Sequence, residues 1–532
     1  MRRVSANDKR QTLTTESAAS SRCGAAFDEN SVPPWTRGDF RGGCSWCLRK
    51  PPPRPPSLCK EGERVEDEHE YDDEHYLRGA DMTRRFPISW LRTSLALTFL
   101  AGMTGWWIWT SREADLKIEN SSSPPTQISF TERRLRVAES QLKLRPKDPE
   151  AYAEMAAAYM EKARETGDGA YYCRAEAACK KALELAPNNY AALRLVSWVY
   201  SGQHRFREAL AAARRALERD AKDPLNYGTL GDALLELGDY GEGAQAIQKM
   251  VDLRPDVSSY TRAAHVRELF GDVPGAIEIM SMAVRAASSR DHEQNAWCRV
   301  QLGNLFFQAG RLADAEAQYQ AALQIFPNYH FAFTGLGRVR AAQEQFDEAI
   351  RFYRASVDLV PTHEAVFGLA DLYTHLERPT EAALQFELVE TIEKINQANG
   401  VTSEAQLAMF YADHGLKLAE ALKIVRQQAR ERRDVRTMDA LAWVLFKNGM
   451  AREALQASQQ ALRLGTKDPL MLYHQGMIAR ELSQPTLAAQ ALQQALSANP
   501  NFHPHHAQLA RMALQPLLAM RLEPNGVFKA LN

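Results

Sequence analysis

Apolar residues along most of the chain come in two bursts at helical spacing, split by a glycine-centred turn, and the pattern returns every 34 residues. "LGNLFFQAGRLADAEAQYQAALQIFPN" (302–328) and "LGRVRAAQEQFDEAIRFYRASVDLVPT" (336–362) show it in full. In the first copy Leu302, Leu305 and Phe306 form one burst, Gly310 the turn, and Ala315, Tyr319, Ala322 and Leu323 the other. Pro327 ends the second helix, because proline cannot continue the hydrogen-bond ladder. Gly303, Ala315 and Ala322 are small where two helices approach closely. Each unit reads as a helical hairpin.

One hairpin leaves its apolar face bare; stacking buries each face on the next unit. The pattern places units near 149–189, 190–223, 224–256, 257–295, 296–329, 330–362, 363–400, 401–434, 435–468 and 469–502. The predicted fold is all-α, a solenoid of about ten such units over 149–502. Three units depart from the pattern. The first carries seven extra residues between its helices, around Lys162–Tyr172. The seventh has a second helix lengthened to about Asn396, followed by Asn399 and Gly400. The eighth keeps Leu407, Ala408 and Gly415 but slips by one residue afterwards. "TERRLRVAESQLKLRP" (131–146) reads as a lone second helix that caps the N-terminal end within 131–148. "HPHHAQLARMALQ" (503–515) reads as the opposite cap, in a segment that ends at 532.

At these residues the chain resembles the tetratricopeptide repeat family, over about 149–500. The resemblance implies a right-handed α-solenoid whose first helices line a concave groove, with positions 2, 5, 9, 12 and 13 of each unit facing it. Here those positions hold Trp297, Asn304, Phe307, Phe331, Arg338, Phe367, Trp443, Phe446 and Tyr473 as candidate partner-binding residues. Trp198, Asp232, His265, Asp371 and Arg480 occupy others of the same kind. Trp297, Phe307, Phe331 and Phe367 belong to three successive units and are expected to form one apolar strip on the groove floor. The competing expectation is that some of these aromatics pack against the neighbouring unit. Family members that grip a C-terminal carboxylate use a basic and Asn set that is not found here.

The first 130 residues read differently. Residues 1–81 are rich in Pro, Arg and acidic residues and poor in aliphatics, which predicts a disordered extension, or a start placed upstream of the true one at Met82. Thr93–Thr110 is an uncharged run of 18 residues, about the minimum that spans a bilayer. Trp106, Trp107 and Trp109 close it, and Arg84, Arg85 and Arg92 precede it. No small-residue cleavage site follows, so 82–112 is predicted to be an uncleaved transmembrane anchor. The positive-inside bias keeps the N-terminus cytoplasmic and the repeats extracytoplasmic, beyond a polar linker at 113–130. "YTRAAHVRELFGDVPGAIEIMSMAV" (260–284) resembles bacterial repeat proteins, which implies a bacterial inner membrane.

A net charge of −1 offers no basic footprint for nucleic acid. Seven cysteines in 532 residues do not make a disulfide framework, and Cys173 and Cys179 fall on different faces of one helix. Cys23, Cys44, Cys47 and Cys59 could offer zinc four thiolates, but a second Cys-x-x-Cys pair is lacking. His503, His505 and His506 are too exposed a set to be assigned a metal. There is no phosphate-cradling Gly-x-x-x-x-Gly-Lys, no Gly-x-Ser-x-Gly and no His-Glu-x-x-His. The expectation is therefore a membrane-anchored, non-enzymatic scaffold for a protein or peptide in envelope assembly, secretion or biogenesis. It needs no cofactor, no nucleic acid and no small-molecule substrate. The rival expectation is a soluble or secreted regulatory protein, or an accessory subunit of an enzyme complex.

Overall fold

Three first helices begin with Asp-Pro for a local reason. In the computed structural model, which describes residues 129–398 and 405–521, Asp148, Asp223 and Asp468 each cap a helix that opens on proline. The carboxylate accepts from N–H groups of the first turn, and proline leaves one fewer of those to satisfy. At the far end, Gly167 and Gly238 close their helices at φ of 68° and 91°, a left-handed turn that glycine adopts without strain.

The result is twenty-two helices among the described residues. α1 (Phe130–Leu144) comes first among the described residues, and hairpins follow: α2 and α3 (Pro149–Thr166, Ala170–Leu185), α4 and α5 (Tyr190–Gly202, Phe206–Arg219), α6 and α7 (Pro224–Leu237, Tyr240–Leu253). Next come α8 and α9 (Val257–Leu269, Val273–Ala286), α10 and α11 (His292–Gln308, Leu312–Ile325), α12 and α13 (His330–Ala342, Phe346–Leu359). Then α14 and α15 (His363–His375, Pro379–Ala398), α16 and α17 (Ala405–Asp413, Leu418–Glu431) and α18 and α19 (Val435–Lys447, Ala451–Ala461). The last described hairpin is α20 and α21 (Pro469–Glu481, Pro485–Ala498), and α22 (Pro504–Arg521) follows it. No strand occurs among the described residues. The extension at 1–81, the apolar segment at 82–112 and nearly all of the linker lie outside them, as do Asn399, Gly400 and residues 522–532. Among the described residues no helix is long and apolar enough to cross a membrane.

The Leu-Gly and Tyr of the repeat are parts of one joint. Tyr319 is fully buried, and a Cβ on Gly303 of its own unit or on Gly335 of the next would stand 2.6 and 2.5 Å from its ring. The ring is thus gripped between two successive first helices, and its hydroxyl donates to Asn304 Oδ1 at 2.8 Å. Tyr353 repeats the joint between Gly337 and Gly368. Unit 1 solves its extra length otherwise than expected: the added residues extend α2 to 18 residues, and only Gly167–Gly169 remain as the turn.

A second order of packing does not follow from the 34-residue period. The turn corners of units 1, 3, 4 and 5 touch inter-unit loops six units later. Glu236 pairs with Arg432 at 2.8 Å, 196 residues on. The Val435 N–H donates to Tyr240 Oη at 2.8 Å, Thr466 Oγ1 to the Leu269 carbonyl at 2.5 Å, and Asn499 Nδ2 to the Phe307 carbonyl at 2.6 Å. The separations of 195, 197 and 192 residues are the register of one superhelical turn stacked on the next. The backbones come so close that a Cβ at Gly238 would lie 2.9 Å from the Arg433 carbonyl oxygen, and one at Gly271 2.2 Å from that of Gly465. Gly449, at the equivalent corner of unit 9, meets nothing within 4 Å.

Gly271 and Gly449 share a φ of 76°, so alanine carries the same backbone strain at both, about 1–2 kcal/mol. Gly271→Ala must in addition push two turns apart. Its unfolding midpoint in urea is expected to fall clearly further than that of Gly449→Ala. Equal losses would mean that the turns do not rest on each other in solution.

Candidate functional site

Position 9 of the first helices carries Asp232, His265, Asn304, Arg338, Asp371 and Trp443 in units 3, 4, 5, 6, 7 and 9. The side chains there are polar or aromatic, yet they sit on the inner side of a stack whose turns touch. Such groups cost free energy unless each finds a partner. They do. Arg262 clasps Asp232 with Nε at 2.9 Å and Nη2 at 2.6 Å, and its Nη1 donates to the Ser258 carbonyl. Burial pushes the Asp232 carboxyl up even though Arg262 pulls it down. Burial likewise raises Glu236, against the pull of Arg432. Burial would lower Arg436, but Glu268, Glu236, Asp434 and Asp468 outweigh it and raise its pKa.

The middle of the ladder is a cation over an aromatic. The Arg338 guanidinium lies 4.3 Å above the Phe307 ring, 3.4 Å from Asn304 Oδ1 and 3.5 Å from Glu364. Toward the C-terminus histidines and aspartates take over. His414 Nε2 is 2.9 Å and His503 Nε2 3.4 Å from the two Asp371 oxygens. His474 Nδ1 is 3.0 Å from both oxygens of Asp439, and His506 Nε2 is 3.4 Å from Asp413. Burial favours a neutral Asp371, but its histidine hydrogen bonds and their charges prevail and hold it well below the usual carboxylate range. Asp413 is depressed too: burial opposes, and the contact with His506 wins. Among the described residues no group of three or more such side chains is arranged to hold a metal ion.

The nine residues singled out from the sequence divide accordingly. Phe307 is 4% exposed and Trp443 and Tyr473 are 1% exposed, so these three are core and not groove floor. Trp443 stacks on His474 at 4.1 Å and donates from Nε1 to Asp413 at 2.7 Å. Tyr473 stacks on His506 at 4.9 Å, and Phe446 lies half-buried 5.2 Å from Trp443. Trp297 and Phe331 are half-buried against the core that contains Phe307, whereas Phe367 packs with Phe410 at 4.2 Å in a different core. The single apolar strip therefore does not form. Asn304 and Arg338, by contrast, stand together and partly open. The sequence reading did not identify Asp413, His414, Asp439, His474 or the Glu236–Arg432 pair. The available cue was a charged or imidazole side chain at a helix position where the pattern expects a buried apolar one.

Sequence models of the tetratricopeptide repeat match residues 256–328 in one version and 197–258, 334–395 and 440–501 in another. The chain carries tetratricopeptide repeats. Anaphase-promoting complex subunit 3 of Schizosaccharomyces pombe is 23% identical over 241 residues, 42% of this chain and 34% of that protein. The match thus spans about a third of the relative's length. Among solved structures, the anaphase-promoting complex hetero-tetramer Cut9-Hcn1 aligns with a TM-score of 0.32 and 15% identity over 72% of this chain and 92% of its own. Yeast Tom70 aligns with a TM-score of 0.30 and 14% identity over 73% and 93%.

Proposed function

We propose that the chain is a non-catalytic scaffold that holds a protein partner along the ladder of position 9, tethered to a membrane by the apolar segment at 93–110 with its repeats on the extracytoplasmic side. One observation carries the binding reading. Asp232, Arg338 and Asp371 recur at the same position of units 3, 6 and 7 and keep 24%, 31% and 27% of their side chains open. A repeat array that needed only to be stable would fill these places with apolar side chains. Alternating charge suits an extended segment with both acidic and basic side chains. The relative in the anaphase-promoting complex supports a role in protein assembly. The uncharged run of 18 residues, with basic residues before it and tryptophans at its end, supports the tether and its direction. A bacterial envelope role rests on the resemblance of 260–284.

The experiment is tagged full-length protein, solubilised from membranes, with Asn304→Ala and Arg338→Ala compared against the parent. Both variants are expected to keep their helicity and to retain at least about fivefold less of the same partner. Undiminished partner on both variants would remove the ladder from consideration. Release of the parent by carbonate washing would remove the tether.

A further inference from the structure

We infer, on the binding reading just given, that the seam between the two superhelical turns is a clasp, and that the ladder is loaded through it when it opens. The bore itself offers no wide entrance. First-helix segments four units apart meet inside it. Arg164 of α2 pairs with Glu293 of α10, 129 residues on. Asp371 of α14 meets His503, 132 residues on, at the entry to α22. Asn304 and Arg338 lie in units 5 and 6, between these two crossings. Within a turn, successive hairpins pack side by side, so the seam is where the wall of the described residues can part. A segment that carries side chains therefore comes to Asn304 and Arg338 from the flank.

The seam is built to part. Each hairpin is held by its neighbours in the stack, so the hairpins keep their own packing when the turns separate. At three corners the far turn is met by backbone and not by an interlocking side chain. The nearest atoms to a Cβ at Gly238, Gly271 and Gly310 are the carbonyl oxygens of Arg433, Gly465 and Ala498. The hydrogen bonds across the seam use a carboxylate, hydroxyls, an amide and backbone groups, all of which water satisfies once they separate. Surfaces that meet and part within one chain have this polar make-up. Val435, Leu464 and Met471 add apolar contact on the late side, which draws the turns shut. Arg432 is the hook. Its guanidinium reaches Glu236 at 2.8 Å and lies 5.3 Å over the Phe206 ring, so one side chain between units 8 and 9 grips units 2 and 3.

The test uses the full-length chain in mild detergent, with Asn304→Cys as a reporter on the ladder and two thiol reagents, N-ethylmaleimide and a bulky polymer-linked maleimide. Loss of the free-thiol peptide around residue 304 gives each rate. No partner is needed, so the outcome is separate from that of the binding reading, which Asn304→Ala and Arg338→Ala decide. The small reagent is expected to react readily and the polymer far more slowly. Arg432→Glu should raise the polymer rate at least about tenfold, because breaking a largely buried ion pair enlarges the open fraction. Glu236→Arg added to it should bring the rate part of the way back. Tyr240→Phe removes only the acceptor of the Val435 N–H and should raise the rate less. Circular dichroism checks that each variant is folded, and if Arg432→Glu is not, Tyr240→Phe decides. A polymer rate equal to that of the small reagent in the reporter chain, or one that no folded seam variant raises, would overturn the proposal.

Discussion

Trp443→Ala is expected to lower the stability of the C-terminal units by about 3–5 kcal/mol, the range for emptying a buried aromatic site. Trp443 is 1% exposed and is wrapped by Phe446, Tyr473 and His474. It also holds Asp413 through its indole N–H, so truncation removes a charge-assisted hydrogen bond from a nearly enclosed carboxylate. Trp443→Phe separates the two effects. It keeps most of the volume and should lose about 1.5–3 kcal/mol, the contribution of a hydrogen bond to a charged group. Urea unfolding followed by near-ultraviolet circular dichroism measures both. If Trp443→Ala left the midpoint unchanged and only weakened partner retention, the side chain would belong to a binding surface after all.

The hairpins were legible because they depend on local signals. A period near 34, a small residue at the close approaches and a proline after many of the second helices (Pro187, Pro255, Pro327, Pro361, Pro500) fix two helices and a turn with no knowledge of distant contacts. The polar ladder was legible in part for the same reason: Asp232, Asn304, Arg338 and Asp371 fall at one position of the unit, which the pattern itself numbers. What the period does not encode is pitch. Whether unit 3 meets unit 9 depends on small rotations between hairpins, and these arise from joints such as Tyr319 between Gly303 and Gly335. Once the turns close at six units, bulky inner side chains lose their solvent. Phe307, Trp443 and Tyr473 then become filling instead of floor. His474 with Asp439, and His503 with Asp371, come from separate units 35 and 132 residues apart. Only the assembled register brings them within hydrogen-bond reach.

Acid is expected to unfasten this interior in two stages. His330 is 2% exposed with no hydrogen-bond partner on either ring nitrogen, and burial lowers it to about 4, Glu364 opposing only weakly. His506 is lowered to about 4 by burial and by His503, against the pull of Asp413. Both are depressed below the ordinary imidazole value near 6.5, so between pH 6.5 and 4 the unfolded chain binds protons that the folded chain refuses. Stability therefore falls as pH drops through that window, by about 3 kcal/mol for each imidazole at 1.36 kcal/mol per unit. Below about pH 4 the imidazole contribution levels off and the carboxylates take over. Asp371 and Asp413 are depressed in the folded state, so the stability they contribute at higher pH is lost as unfolded carboxyls begin to protonate. His330→Phe removes one imidazole at nearly constant volume and leaves the aromatic contacts with Tyr329 and Phe331 in place. Urea midpoints at pH 7 and pH 4.5 should then differ by markedly less in the variant than in the parent. An unchanged pH slope would mean that His330 is solvated or partnered in solution, and that the stack around it is looser than the contacts of Gly167 and Phe331 require.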